Sequence, residues 1–478
     1  MKKITKYIML PAIAAAISAN VNAQSLTGYF MNNLTNTSYY NPAFNPNCKV
    51  YISIYDIYGD VASNGFTVKD MFKHITSTDK YVLDLDNIYN ALGKKNVGYS
   101  HQDISLLNYG FRLGEGYVNC GFAIRAYEYL SYPKDILKIK DGTYYDGNST
   151  IDLSGISAKA NLYYEYKLGY AWEFSNNITF GAALKRLQGV GNLRTKKCDI
   201  ILKTEGDMYD LFLTTDIEAQ IACNADLEFV KDEKGRIDSV YANNIDIHNL
   251  DKDNGYSKMF KSQNGGWAID LGMTYKLDNR WQFAASITDF GGIKYKNYGK
   301  SLSQSGTFEF KGIDIDKYFN NIDSIGSVLE DSIAAFATPK DLSKGYVDML
   351  NTKIYLSGLY TVNKYIEVGM MFRGIMYAKG FHPSLTTSAN FRLGSATQIS
   401  ISQSFINRKG NVWGIGYVQQ LGPIQLHFLF DQFAPAFYAM NNSKLADNWI
   451  RNTNMATFQF GLSVIIGRKD YPEKGLYE

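Results

Sequence analysis

Ala158-Lys159-Ala160-Asn161-Leu162-Tyr163-Tyr164-Glu165-Tyr166-Lys167-Leu168-Gly169-Tyr170-Ala171-Trp172 is the stretch that decides the fold. Ala158, Ala160, Leu162, Tyr164, Tyr166, Leu168, Tyr170 and Trp172 share one side of an extended chain, and Lys159, Asn161, Tyr163, Glu165 and Lys167 share the other. Side chains alternate across a strand, so the pattern predicts one long strand with an apolar face and a polar face. The scheme recurs along the chain. Val118, Cys120, Phe122, Ile124 and Ala126 oppose Asn119, Gly121, Ala123 and Arg125. Trp267, Ile269, Leu271, Met273 and Tyr275 oppose Asp270, Thr274 and Lys276, and Ile424, Leu426, Phe428 and Phe430 oppose Gln425, His427 and Asp431. Phe458, Phe460, Leu462, Val464 and Ile466 make the last such face.

These strands run to about 10–16 residues, whereas strands of globular proteins cluster near five or six. A tilted strand crosses a bilayer in about 9–11 residues. The apolar faces carry almost no charge, and the opposite faces mix small, polar and charged residues, which suits a wet lumen. The connections alternate in length as well. Short turns fall at 113–116, 174–177, 205–207, 277–280, 362–364, 393–396 and 421–423, and long segments fall at 59–100, 132–153, 223–264, 291–350 and 434–454. Short periplasmic turns and long external loops are the habit of outer-membrane barrels. The predicted fold is therefore all-β, a transmembrane antiparallel barrel spanning 48–467. Its first half comprises 48–58, 101–113, 116–131, 154–173, 176–190, 194–206, 208–222 and 265–277. The second half comprises 280–290, 351–362, 364–377, 384–393, 396–407, 411–420, 423–433 and 455–466. That is sixteen strands, or fourteen if the weakly alternating hairpin 194–222 is not part of the wall.

The start of the chain has a different character. Lys2, Lys3 and Lys6 precede an apolar run from Tyr7 to Ser18 and a small-residue end at Val21-Asn22-Ala23, the three-part form of a cleaved secretory signal over 1–23. Its lysines account for the formal net charge of +3, so the remaining chain balances its 46 acidic residues. A neutral chain lacks the basic surface a nucleic-acid partner requires. No run after Ala23 approaches the roughly 20 apolar residues of a spanning helix. The 37 Tyr, 27 Phe and 41 Gly beside only 9 Pro fit strands and tight turns. Cys48, Cys120, Cys198 and Cys223 are widely spaced, fit no zinc pattern and leave three disulfide pairings open.

Two regions break the strand pattern. Ile315, Phe319, Ile322, Ile325, Leu329, Ile333 and Phe336 recur at helical steps between Asp314 and Pro339, predicting an amphipathic helix over 314–336 in an external loop. Residues 24–47 are Asn-rich, interrupted by Pro42 and Pro46, and serve either as a lumen plug or as a lead to the first strand. A tail, 468–478, follows the last strand.

Tyr40-Asn41-Pro42-Ala43-Phe44-Asn45-Pro46 resembles the early N-P-A-F segment of an outer-membrane β-barrel family of Bacteroidota whose function is unknown. Ala268 to Lys276 resembles that family's A-I-D-L-G-x-x-Y-K strand, and Ser286 to Lys294 its S-I-x-D-L-G-x-I-x strand end. Lys185 to Gly189 and Leu421 to Leu426 fit the same pattern. The family is similar in layout to long-chain fatty-acid transporter barrels and to barrels accessory to type IX secretion. In the former, an N-terminal hatch containing N-P-A plugs the lumen. The resemblance thus implies a plug over 24–47 with Asn41, Pro42, Ala43 and Phe44 at its heart. It implies no catalytic residues.

Little in the chain looks like enzyme chemistry. His427 and Asp431 share a face but lie roughly 13 Å apart along one strand, and no G-x-S-x-G elbow occurs. Asp251-Lys252-Asp253-Asn254-Gly255 only begins like a calcium loop, with its glycine one place early and no closing glutamate. No metal or cofactor is predicted. The candidate binding residues are the inward charges Arg125, Lys159, Glu165, Lys167, Lys185, Asp270, Lys276, Glu367 and Arg373, which either line a solute pathway or brace the wall. The resulting expectation is a passive channel for hydrophobic or small amphipathic solutes in the outer membrane of a Gram-negative bacterium. The alternative is a surface or secretion-accessory barrel that binds protein partners through its loops. Outer-membrane lipid and the barrel assembly machinery are expected partners of either.

Overall fold

The computed structural model describes residues 25–468 except 67, 76–79, 141–149, 206–209, 224–225, 232–236, 244–263, 297–298, 311–337, 342–344, 378–379, 395, 407–409 and 432–454. The signal segment 1–23, the helix expected over 314–336, the acidic loop 251–255 and the tail beyond Arg468 lie outside the described residues.

Alternation is rewarded only where the two faces of a strand meet different surroundings, and here they do. Fourteen antiparallel strands close on themselves. In chain order the first seven are β1 (Cys48–Ser63), β2 (Lys95–Leu113), β3 (Gly116–Pro133), β4 (Ser157–Glu173), β5 (Ile178–Glu205), β6 (Gly265–Lys276) and β7 (Trp281–Tyr295). The second seven are β8 (Lys353–Asn363), β9 (Ile366–Tyr377), β10 (Gly380–Leu393), β11 (Thr397–Ile406), β12 (Gly410–Leu421), β13 (Ile424–Asp431) and β14 (Met455–Arg468). Each pairs with its chain neighbours, and β14 returns to β1 in a ladder running from Cys48 opposite Arg468 to Ala62 opposite Met455. No edge is left open in the ring, so all ladder hydrogen bonds are satisfied within the wall, as a bilayer demands.

The short connections lie at one rim: Leu113 to Gly116, Glu173 to Ile178, Lys276 to Trp281, Asn363 to Ile366, Leu393 to Thr397 and Leu421 to Ile424. Gly114 and Gly422 take positive φ there (58° and 60°), which tight hairpin turns require and glycine adopts at little cost. Both ends of the barrel segment share that rim.

The wall has fourteen strands, not the sixteen of the first expectation. The expected strands 194–206 and 208–222 are the outward half of β5 and an accessory strand, Asp210–Cys223, paired to it. β5 leaves β6 at Gln188 opposite Gly265 and continues past the ring. The physical reason is charge. Lys196 pairs with Glu218, and Lys197 with Asp216 and Asp199, in exposed or half-buried positions that a lipid-facing strand does not tolerate. The pairing of Glu205 with Asp210 puts the turn expected at 205–207 at the long-loop end, opposite its expected side. Lys300–Phe310 adds to the accessory strand, building a small sheet beyond the rim.

Outward side chains are apolar and exposed around the ring: Leu168 is 58 % exposed and Met370 55 %, with Trp267, Leu271, Leu356, Leu385, Ile401 and Ile415 similarly placed. So continuous an apolar belt matches the lipid-facing band of a membrane barrel and not the surface of a soluble protein. Near the short rim Trp172 meets Phe174 edge-on, and Trp281 stacks on Phe283 and leans on Tyr360. This is the aromatic girdle expected at a membrane interface. No helix among the described residues is long and apolar enough to cross a membrane.

Candidate functional site

The core of this molecule is its lumen. Residues 25–47 lie inside the ring, most of them buried, folded into two short 3-10 turns at Thr27–Phe30 and Thr37–Tyr39. Strands that expect such a guest carry small polar residues inward. Ser384, Thr386 and Ser388 of β10, with Ser400, Ser402 and Ser404 of β11, are all buried.

The segment is tied to strands all around the ring. At its start Ser25 Oγ and Leu26 N donate to Asp431 Oδ2 at 2.9 and 2.8 Å, and Thr27 N and Oγ1 donate to Asp431 Oδ1. Thr27 also meets Ser402 at 2.6 Å. Further along, Gln425 donates to Asn33 O, Thr35 meets Ser463, Asn36 donates to Asp56 and Tyr39 to Asn108. On the far wall Ser286 donates to Tyr40 O, and Asn45 to Glu173. The Asn41 amide donates to the carbonyls of Met273 and Ala285, while Asn41 Oδ1 accepts from Ala43 N at 2.9 Å. Asn41, Pro42 and Ala43 press against the wall where it has no side chains. A Cβ on Gly181 would stand 2.2 Å from Ala43 N, and one on Gly272 2.0 Å from Asn41 Oδ1. Phe44 packs edge-on against Tyr29, which stacks on Tyr355 of β8. Burial, followed by the nearby Glu165 carboxylate, pushes the Tyr39 phenol above its usual range.

Beside Tyr39 the wall holds a fully paired ion network. Arg125 reaches Asp103 at 2.6 Å and Glu165 at 2.8 Å. Lys185 reaches Asp289 at 2.5 Å and Asp270 at 2.8 Å, and Lys353 completes Asp289 at 2.9 Å. Lys167 lies 3.9 Å from Asp270 and donates to Ser38 O at 2.7 Å. Four cations thus face four carboxylates, every one buried, with the Tyr39 ring 4.0 Å from Lys167 Nζ and 4.9 Å from the Arg125 guanidinium.

Of the residues singled out by sequence, Arg125, Glu165, Lys167, Lys185 and Asp270 meet in this network. Lys159 stands further toward the long loops, 2.9 Å from Asp348. Glu367 is buried toward the short rim, bonded to Arg392 at 2.7 Å. Lys276 points along the lumen face but is exposed at the short rim. Arg373 lies on β9, beside the strand that carries Lys353, and forms no ion pair there. His427 and Asp431 do not meet: His427 Nε2 lies 2.9 Å from Asp56 Oδ2, and Asp431 holds the inner segment.

Alternation also missed charges that matter. Asp289 breaks the pattern because it sits in a bulge with φ of 59°, opposite the register shift between Ile269 and Leu271. Its N–H donates to Asp270 Oδ1 at 2.8 Å, and the kink turns its carboxylate inward where plain alternation sends it to lipid. Asp103 and Lys353 lie on recognised strands as inward charges of the same kind. Asp348, in the short strand Tyr346–Met349, could not be found by period at all. It accepts from Tyr127 Oη, Asn161 Nδ2, Asn192 Nδ2 and Lys159 Nζ at 2.9–3.1 Å. That hub fastens the loop before β8 to the inner faces of β3, β4 and β5.

No disulfide joins the four cysteines, and no cluster of metal-binding side chains occurs among the described residues.

A closed barrel whose lumen is filled by its own N-terminal segment defines the class: a plugged β-barrel of membrane type. The chain belongs to the family of unknown function DUF5723, whose model matches residues 42–431. No curated protein matches it. Among solved structures it is similar to the Ralstonia pickettii toluene transporter TbuX (7 % identity, 94 % of this chain and 100 % of that one, TM-score 0.43). It is similar likewise to the Pseudomonas putida toluene transporter TodX (9 %, 94 % and 96 %, 0.40) and to a Pseudomonas aeruginosa FadL homologue (9 %, 94 % and 100 %, 0.41).

Proposed function

We propose that this protein is an outer-membrane channel for hydrophobic or small amphipathic solutes, with residues 25–47 as the plug that must shift for passage. The observation that carries this reading is the plug's attachment. It is held by many single hydrogen bonds to strands around the whole ring and by no covalent tie beyond its peptide link to β1, so it can be displaced without unfolding the wall. Each such bond contributes only about 0.5–1.5 kcal/mol net. The apolar belt and girdle support an outer-membrane location, reached through the signal segment and the barrel assembly machinery, with lipid around the wall. A ring of fourteen strands is wide enough for a solute once its filling moves. The lumen histidines favour a pathway over a catalytic centre, since His101 and His427 are each engaged by a structural aspartate.

Osmotic swelling of proteoliposomes tests the reading. Swelling in isosmotic small amphipathic solutes above that of protein-free vesicles is the expected result. Absence of swelling for both the whole chain and the 25–47 deletion would sink it.

The sheet beyond the rim favours a second reading, a secretion-accessory or surface barrel. Asp210–Cys223 and Lys300–Phe310 stand clear of the belt, where a protein partner can reach them. Crosslinking on intact cells from residue 301 would trap one defined protein in that case; lipopolysaccharide alone would count against it.

A further inference from the structure

The lipid-facing side of a membrane strand tolerates charge poorly except near the interface. Three cations gather at one place on that side of the ring. Arg186 alternates outward with Leu184 on β5 and is exposed. On β7, Ile293 and Tyr295 are buried inward, while Lys294 and Lys296 are exposed on the other side. β6 lies between the two strands and brings the charges together. Arg186 is across from Trp267, and Lys294 is across from Gly265, the next outward position of β6. The Arg186 guanidinium extends over that glycine, where a Cβ would stand 2.7 Å from Nη2. Nη1 donates to Gly266 O at 3.2 Å, and the group lies 5.2 Å from the centroid of the Trp267 ring. The fork is thus held on the outer surface beside the Lys294 position.

Height and surroundings say what such a cluster meets. β5 climbs ten residues from Ile178 at the short rim to Gln188, which pairs with Gly265. At about 3.4 Å per residue and a tilt of about 40° this is a rise of roughly 26 Å, the height of the apolar band. The cations therefore stand at the external boundary of the bilayer. The wall beside them is apolar and open, with Trp267 54 % exposed and Phe290, Val347 and Met349 each 52 % exposed. No acidic residue occupies an outward position of β4, of β5 up to Gln188, or of β6, β7 and β8. None of the three cations forms an ion pair with another described residue. Neighbouring like charges repel, so the cluster is complementary to an anion from outside the chain.

We propose that this face binds a phosphate-bearing lipid of the outer leaflet, its phosphate on Arg186, Lys294 and Lys296 and its acyl chains on Trp267 and Phe290. A guanidinium offers a phosphate two parallel N–H bonds, and the two ammonium groups add charge. A soluble anion uses the cations and leaves the aromatic surface below them without a role. An acidic protein segment has to displace lipid from Trp267 and Phe290 before it can dock. A lipid fits both halves, because its head and tails meet at this height and basic groups at a membrane surface draw anionic headgroups. The inference rests on the membrane location proposed above and not on the passage of any solute.

Native mass spectrometry of the full chain in detergent tests this with dioleoyl phosphatidic acid, dioleoyl phosphatidylcholine and inorganic phosphate. One phosphatidic acid is expected to bind about tenfold or more tightly than the choline lipid, whose phosphate carries its own cation. Arg186→Gln combined with Lys294→Gln is expected to bring phosphatidic acid down to the choline lipid's level. Lys364→Gln, at the short rim, is expected to change nothing. Inorganic phosphate at equal concentration is expected to leave the lipid bound. Every variant is first checked for wild-type heat-modifiable migration; if the double variant fails this, the two single variants replace it, each expected to lose about threefold or more. Equal binding of the two lipids, or of neither, overturns the inference. So does a silent double variant, an equal loss with Lys364→Gln, or displacement by equal inorganic phosphate. Such a result beside proteoliposome swelling overturns this inference alone and leaves the channel reading standing. A parent chain without heat-modifiable migration ends the membrane reading and this inference with it.

Discussion

Two sides of one lumen handle charge in opposite ways. On the wall from β2 to β8, Asp103, Arg125, Glu165, Lys167, Lys185, Asp270, Asp289 and Lys353 each lie within 4 Å of an opposite charge. On the flanking strands β9 and β1, Arg373 and Asp60 are as deeply buried and make no such pairs. A buried charge that is paired braces a wall, and removing its partner strands it. A buried charge without an ion-pair partner does no such bracing. Arg125 and Arg373 look alike in the sequence, as inward arginines on alternating strands. Only the structure separates the paired arginine from the unpaired one.

That contrast can be broken most forcefully at Arg125. Arg125→Met leaves Asp103 with only His101 and Glu165 with only Lys185 at 3.9 Å, and is expected to cost about 3–5 kcal/mol. Urea unfolding followed by loss of heat-modifiable gel migration would measure it. The next effect is at Asp348. Asp348→Ala takes the acceptor from four donors at once and is expected to loosen the 346–352 loop by about 2–3 kcal/mol. Faster amide exchange confined to that loop is the check. Asp431→Asn weakens the charge-assisted contacts to Ser25, Leu26 and Thr27, and is expected to destabilise the seated plug by about 1–2 kcal/mol. Brief openings in single-channel records, absent from the parent protein, would reveal it. The smallest effect belongs to Arg373→Met, expected to change stability by less than about 1 kcal/mol, because no ion pair is lost. A loss comparable to that of Arg125→Met would erase the distinction between the two sides.

Much of the wall was legible because lipid and lumen impose different faces on every strand. Residues 158–172 announce β4 to within a residue or two, and Val118 to Ala126 sorts correctly into Phe122 and Ile124 outward, Ala123 and Arg125 inward. The site was less legible, for two reasons. Period cannot see a bulge, so Asp289 was hidden although it joins Lys185 to Lys353. Nor can period see how far up the barrel a residue lies. Lys276 and Lys185 share the inward face of neighbouring strands, yet one is exposed at the rim and the other is buried in the network. Of the two strand counts the sequence left open, the structure takes fourteen for a related reason. The 194–222 hairpin is genuine β structure, but its charged faces belong in water beyond the bilayer. The N-P-A segment was readable only through resemblance. Its fit depends on glycines at 181 and 272, which look in sequence like ordinary small residues of a strand.

The claim on which the rest depends is that residues 25–47 close the lumen. Planar-bilayer recording of the whole chain beside a version lacking 25–47, both first shown to fold by heat-modifiable migration, tests it most directly. The expected result is a closed or barely conducting parent and a stable, open conductance after deletion. Equal conductance in the two, or none in either, would contradict it.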